Sequence, residues 1–380
     1  MSHAGRLEWA EARRRAAAAP VALGGEEVDL ADAVGRVLRR AVVAAIDIPH
    51  YASAAMDGWA VAGDGPWRLR EAPPLSTGEA MRIVTGGALP PGADAVVRSE
   101  NAHRDGAELR LDRADGKRHV RPTAEEARAG DELVATGTRL TPAHVALAAA
   151  ATADRLEVAR RPRVTTIFTG DEVVLSGVPA AGQVRDSFGA PIPHVLAALG
   201  AEHLGSVRLG DDRAATIAAL RDAEADLVVT TGGTGGSHAD HVRLALDELG
   251  AEYLVPGLAS RPGGPTLLAR LPDGRLVLGL PGNPLAALLG LLSLGDVLVA
   301  GFTGRVLPPL ARVPVPASVL RHPDATRLVP VRAGLDPSTG SGHREVQWTG
   351  SAMMRGLAAA TGVLVVPPVG DADVLPLPWG

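Results

Sequence analysis

From Ala225 to Gly250 the chain reads ADLVVTTGGTGGSHADHVRLALDELG. An apolar, β-branched run meets Gly232, Gly233, Gly235 and Gly236, interrupted only by Thr234, and a helix-like segment follows. Glycine removes side chains and permits positive φ, so backbone N–H groups in such a loop can face an anion. The N-terminus of the next helix would add partial positive charge. The loop has neither the Gly-Lys-Ser/Thr ending of a P-loop nor the GxGxxG spacing of a dinucleotide site. An anion cradle and a plain tight turn therefore both remain open.

Two further loops have the same setting. LGLPGNPLAALLG ends a strand at Leu280, turns through Pro281, Gly282, Asn283 and Pro284, and enters a helix. IFTGDEVV, from Ile167 to Val174, again follows an apolar run. Ligands of open α/β sheets bind outside the carboxyl ends of the strands, so three such loops predict one cleft. Asp171, Glu172, Asp186, Asp226 and Asp240 fall in or beside it, and carboxylates at a phosphate-sized site suit Mg²⁺, a hard cation. The structural alternative makes Asp240 a helix N-cap and Asp226 a turn residue before its strand. His238 and His241 flank Asp240, but two histidines without a third ligand do not define a metal site. IPHYASAAMDGWAV, Ile48 to Val61, carries a charged Met56-Asp57-Gly58 tripeptide that could be a site or an Asp-Gly turn. No G-x-S-x-G elbow supports a serine hydrolase.

The elements that must position these loops alternate in type. From Arg163 to Arg305, strand-like runs (RVTTIF, AEHLGSVRL, DLVVTT, RLVLGL) alternate with helical segments (PIPHVLAALG, RAATIAALRDAEA, ADHVRLALDELG and the run after Asn283). This predicts a mostly parallel sheet covered on both faces. Upstream, Leu7 to Ala19 and Thr141 to Ala151 read as helices, with a Pro- and Gly-rich β region between them. Downstream of Arg305, short strands at close spacing predict a compact β-barrel.

The chain has 380 residues, a net charge of −5 and no cysteine. Thiolate chemistry and disulfides are excluded, and the acidic balance argues against general nucleic-acid binding. No apolar secretory segment is visible at the N-terminus, so the expected location is cytoplasmic. The apolar run Pro284 to Phe302 contains Asp296, which favours a buried core helix over a membrane span.

Taken together, these stretches resemble the molybdopterin molybdenumtransferases, the MoeA family, which includes the E domain of gephyrin. SAAMDGWAV is similar to the family's S-A-M-D-G-Y-A-V. RIVTGGALPPGADAVVRSEN, TGDEVV, GQVRDS, DLVVTTGG, LPGNPLAAL and GSAMMRGLAAATGVLVVP match family motifs in the same order. The resemblance implies an α/β multidomain fold. Its parts would be an N-terminal extended α+β domain (1–49 and 130–160), an inserted β domain (50–129), a three-layer α/β/α domain (161–305) and a C-terminal β-barrel domain (306–380). It also implies insertion of molybdate into the dithiolene of adenylylated molybdopterin, with Mg²⁺ assistance, phosphoanhydride cleavage and AMP release. A homodimer with a cross-subunit site is implied, with no nucleic acid and no membrane as partner. A catalytically weakened paralogue that binds or delivers the pterin nucleotide is the alternative. A pterin adenylyltransferase would lack the flanking β domains.

Carried over by motif, Asp57 would enter the cleft from the partner subunit, and Thr85 lies in its matching T-G motif. Glu172, Asp186, Asp226 and Asp240 would be catalytic, with Glu172, Asp226 and Asp240 at the metal. Gly232, Gly233, Gly235, Gly236, Pro281, Gly282 and Asn283 would bind the pterin nucleotide. Arg261, Ser351 and Arg327 or Arg332 would lie on the molybdate side. The chain departs from the family pattern at several of these positions. Gly235 stands for a serine, His238 for an aspartate, Gly264 for a lysine of K-P-G-K-P, Ala286 for a serine and Thr361 for an asparagine. Ala124-Glu125-Glu126 replaces G-E-D. Each lost hydrogen bond to a charged group would weaken oxyanion capture by about 1.5–3 kcal/mol.

Overall fold

The computed structural model describes residues 5–235, 240–334 and 342–379. The chain forms two compact units: Met1–Glu26, Gly35–Val37 and Ala159–Gly380 make the first, Glu27–Val34 and Leu38–Val158 the second.

The first unit is built on a six-stranded sheet in the order Glu202–Leu209, Arg163–Thr169, Leu227–Thr231, Leu276–Leu280, Leu267–Arg270, Glu252–Val255. The first four strands run parallel and the last two pair antiparallel. Side chains of a strand alternate between faces, and a sheet covered on both sides reads as continuous apolar sequence. Leu227 and Val229 join one core with helices α3 (Pro191–Leu199) and α6 (Pro284–Thr303). Val228 joins another with α4 (Arg213–Asp222) and α5 (His241–Glu248) on the opposite face. The expected three-layer α/β/α arrangement follows.

Helix α6 is long and apolar enough to cross a membrane, but 89% of its apolar window is buried inside the protein. Its one charge, Asp296, is paired with Arg305. Pro284 occupies the first helical position, and Gly304 ends the helix in the left-handed conformation (φ 68°).

Helix α1 (Trp9–Ala18) buries Trp9, Ala12 and Ala16, and Trp9 Nε1 donates to Ser293 Oγ of α6 at 2.9 Å. This apolar stripe carries residues 1–26 into the first unit, whereas the sequence grouped them with 130–160. A second sheet of this unit runs Ser260–Arg261, Thr326–Ala333, Gly362–Val366, Ala372–Pro376, Ala311–Val313, with His343–Glu345 paired to Thr326–Ala333. The short helix α7 (Arg355–Ala359) precedes Gly362–Val366.

The second unit is β-rich, as expected. Its six-stranded sheet runs Ala95–Arg98, Gly58–Ala62, Glu79–Ile83, Trp67–Arg70, Glu108–Leu111, Ala102–Asp105. Helix α2 (Pro142–Ala150) starts from a Thr141 capping box and adds Ala148 to a core with Leu38, Val42, Leu140 and Val158.

Candidate functional site

All four parallel strands of the central sheet deliver their carboxyl ends to one cavity of about 700 Å³. Arg163–Thr169 leads into Gly170 and Glu172, and Glu202–Leu209 into Asp211. Leu227–Thr231 leads into Gly232 to Gly235, and Leu276–Leu280 into Pro281 to Pro284. Residues 184–188, Asp240, Pro265, Ala352 and Met354 complete the wall.

The turn after the central strand depends on glycine. Gly232 has φ +84°, and a Cβ there would lie 2.6 Å from Thr169 Oγ1. That hydroxyl is itself engaged, donating to Thr231 O at 2.9 Å. Gly232 N donates to Leu280 O at 3.0 Å, which locks this loop to the Pro281 loop. A side chain at this position would cost the left-handed strain and force the hydroxyl out of its bond.

Four carboxylates line the cavity: Glu172, Asp186, Asp211 and Asp240. Asp186 is 12% exposed and already engaged. Its Oδ1 accepts from Phe188 N at 2.9 Å and Gly189 N at 3.2 Å, and its Oδ2 accepts from Arg208 Nη2 at 2.6 Å. Burial alone would raise this carboxyl, but the two main-chain N–H groups and the Arg208 guanidinium outweigh it and hold it below the usual range. Asp186 therefore anchors the turn before α3. Asp240 occupies the N-cap position of α5 and faces the cavity.

Asp226 belongs elsewhere. It precedes the amino end of Leu227–Thr231, while the glycine loop follows the carboxyl end. A five-residue strand at about 3.3 Å per residue separates the two by roughly 16 Å. Its carboxylate accepts from Arg160 Nη2 at 3.1 Å and Arg163 N at 2.7 Å. The expectation of Asp226 as a catalytic group and metal ligand is corrected: it ties the strand start to the segment before Arg163.

Sequence reading missed Asp211. It sits just past the carboxyl end of Glu202–Leu209, and Asp211 N donates to Asp171 Oδ1 at 3.2 Å. Applying the strand-end rule to the edge strand would have found it. Among the described residues no three acidic or histidine side chains gather closely enough to hold a metal ion by themselves. Such a donor set fits Mg²⁺ in its usual mode, with one or two carboxylates and the remaining positions taken by phosphate oxygens and water.

The remaining expected residues lie outside the cavity wall. Arg327 is engaged by Leu320 O and lies 3.8 Å from Glu345 Oε1. Arg332 Nε donates to Ala359 O at 3.2 Å. Ser351 O accepts from Ala286 N at 3.1 Å, which sets the neighbouring Ala352 against the start of α6. Arg261 is exposed, on the edge strand next to Thr326–Ala333. Close to it, a Cβ on Gly264 would lie 2.7 Å from Arg6 Nη1, so the Arg6 guanidinium fills the place where a side chain at 264 would begin. Gly236 and His238 lie outside the described residues.

Asp57 is in the second unit. Its Oδ1 accepts from Thr85 N at 2.7 Å and Thr85 Oγ1 at 2.8 Å. These bonds, the main-chain one first, hold the exposed carboxyl below its usual range, with Arg82 adding to the effect. Gly58 has a separate, steric reason: a Cβ there would collide with Val97 O across the strand pair. The Asp-Gly turn is thus structural at its glycine, while its aspartate stands at the surface with Thr85 as its hydrogen-bond partner.

Two families match the chain, the first spanning the second unit up to residue 152 and also the first-unit segment 7–26. Residues 7–152 match the family described as MoeA N-terminal region (domain I and II), and residues 165–299 match the probable molybdopterin binding domain. A molybdopterin molybdenumtransferase of Synechococcus elongatus is 33% identical over 70% of this chain and 73% of its own length. The chain belongs to the molybdopterin molybdenumtransferase family. The family is one of transferases, and its place is in molybdenum cofactor biosynthesis. A Nostoc relative of the same name is 32% identical over 70% of this chain and 66% of its own, just under two thirds. The crystal structure of the molybdopterin biosynthesis moeA protein from Pyrococcus horikoshii superposes with a TM-score of 0.72 at 25% identity, covering 98% of this chain and 99% of that one.

Proposed function

We propose that the cleft inserts molybdate into the dithiolene of adenylylated molybdopterin, cleaving the phosphoanhydride and releasing AMP. The observation that carries this reading is the convergence of four strand ends, a glycine turn and several carboxylates on one cavity of about 700 Å³. Main-chain N–H groups of the turn from Gly233 to Gly235 would bind the phosphates, the Gly232 N–H being engaged by Leu280 O, and Pro281 to Asn283 would hold the neighbouring part of the nucleotide. Glu172, Asp211 and Asp240 are the residues that would hold Mg²⁺, which when bound neutralises charge developing on the pyrophosphate. Asp186 positions the loop between Val184 and Phe188. The protein would act in the cytoplasm as a homodimer, Asp57 of one copy completing the cleft of the other.

Arg6 and Arg261 would attract the molybdate oxyanion. Arg6 has no side-chain hydrogen bond or ion pair among the described residues, and it takes the place of the cation missing at Gly264. The second reading, a binding or delivery protein of reduced activity, is favoured by the side chains lost at Gly235 and Ala286. AMP release from adenylylated molybdopterin with molybdate and Mg²⁺ tests the first reading, and tight binding of that nucleotide without AMP would support the second. Asp57→Ala should abolish AMP release while leaving nucleotide binding to each copy detectable; full turnover in that variant would remove Asp57 from the site.

A further inference from the structure

The second unit contains a cavity that the proposed reaction does not use. It measures about 370 Å³ and lies between the sheet and the segment 111–119. Its floor includes Trp67, which is 4% exposed and donates Nε1–H to Gly63 O at 2.9 Å. The volume is at the small end of sites that take small molecules.

The pairing of its charged residues is asymmetric. Asp115 is fully occupied, accepting from Asn101 Nδ2 at 3.0 Å and Lys117 N at 3.1 Å, with His119 Nε2 at 2.7 Å. Asp94 accepts from Gly63 N at 3.1 Å. Arg98 is paired with Glu100, yet its Nε is buried without a partner. By contrast, Arg113, Lys117 and Arg118 border the cavity as exposed residues, and their side chains make no hydrogen bond or ion pair among the described residues. Asp64 is the only lining carboxylate in that condition. Asp94 and Asp115 are spent on the protein's own N–H groups and imidazole, and three unpaired cationic residues are left bordering one concavity.

The turn that carries them is tightly held. Asp115 bonds back to Lys117 N, Gly116 adopts φ +71°, and His119 is held at φ +50° with its ring against Asp115. A non-glycine residue in this region persists only where its surroundings fix it. Lys117 and Arg118 are thus mounted on a turn fixed at both ends, and Arg113 stands just before it with its N–H donating to Asn101 O at 3.2 Å, which lowers the ordering cost of gripping an anion.

We propose that this cavity is a binding site for a small phosphorylated molecule, its phosphate gripped by Arg113, Lys117 and Arg118 and its apolar part resting towards Trp67. A phosphate suits several converging cations better than a single carboxylate does, because it presents three oxygens and close to two charges. The site is independent of the cleft on the central sheet, and its test does not depend on AMP release.

Lys117 is the only lysine among the 38 lysine and arginine residues. Amine chemistry therefore reports on this turn alone, apart from the chain's α-amino group. Full-length protein is treated with pyridoxal 5′-phosphate or with the phosphate-free 5-deoxypyridoxal, reduced with borohydride and mapped by peptide mass. Lys117 should be labelled about tenfold faster by the phosphorylated aldehyde, because the neighbouring cations concentrate the dianion. Inorganic pyrophosphate should protect it at constant ionic strength. The exposed pair Arg113→Ser and Arg118→Ser should bring the two aldehydes to equal rates without changing the melting temperature. Equal rates in the unaltered protein, or no protection by pyrophosphate, would overturn the proposal. So would a rate ratio that survives loss of both arginines.

Discussion

Asp186→Asn separates a group that holds the cleft from groups that act in it. The carboxylate accepts two main-chain N–H bonds and one from Arg208, whose side chain is 26% exposed. Asparagine keeps an oxygen for Phe188 N–H but removes the ionic acceptor that faces Arg208. A hydrogen bond to a charged group contributes about 1.5–3 kcal/mol, and partial solvation of the arginine moves the expectation to the lower half of that range. We expect a loss of about 1.5–2 kcal/mol in urea unfolding at pH 7, followed by a probe in the first unit. The pH dependence has a definite sign. The folded carboxyl lies below its ordinary value, so its stabilisation is present above the unfolded value, about 3.9, and disappears as pH falls through the folded one. The gap between the two proteins should therefore be constant from pH 7 to about 5 and narrow below about pH 4. AMP release per folded molecule should fall by less than about tenfold, whereas Asp211→Asn or Glu172→Gln should lower it by about 100-fold or more at unchanged stability. No stability gap at pH 7, or a gap that stays constant down to pH 3, would refute the anchoring role.

Three other sites are open to substitution. Arg6→Ala should raise the molybdate concentration needed for half-maximal AMP release by about 10-fold or more, and adding Gly264→Lys should restore it; failure of the lysine to rescue would sink the replacement argument. Asp226→Asn should leave turnover intact while lowering urea stability by about 1–2 kcal/mol, since its carboxylate faces Arg160 and Arg163 N rather than the cavity; a large loss of turnover in the folded protein would return it to the site. Thr85→Val removes one of the two bonds that hold the Asp57 carboxyl low, so the acid limb of kcat/KM against pH should move to higher pH. An unmoved limb would show that Asp57 ionisation does not govern turnover.

Local pattern carried the layered part of this protein. Alternating strand and helix signals from Arg163 onward specified a parallel sheet, because βαβ connections return each strand in the same direction and bury both faces. The glycines at 232 and 233 and the Pro281 turn were visible for the same reason: backbone that must turn sharply at a strand end demands particular residue types within a few positions. Asp226 and Asp240 were both assigned to the cleft by motif, although the strand legible between them already offered Asp226 the turn reading. The structure settles that choice, because the extended segment from Leu227 to Thr231 converts five positions into roughly 16 Å and Asp226 pairs with Arg160 at the far end. Asp211 was hidden because an edge strand carries no glycine-rich signature. The lodging of Arg6 against Gly264 and of α1 against α6 joins parts of the chain more than 250 residues apart. Residue types and spacing record what a segment can become on its own, whereas contacts of that span are chosen by which surfaces bury each other when the whole chain packs.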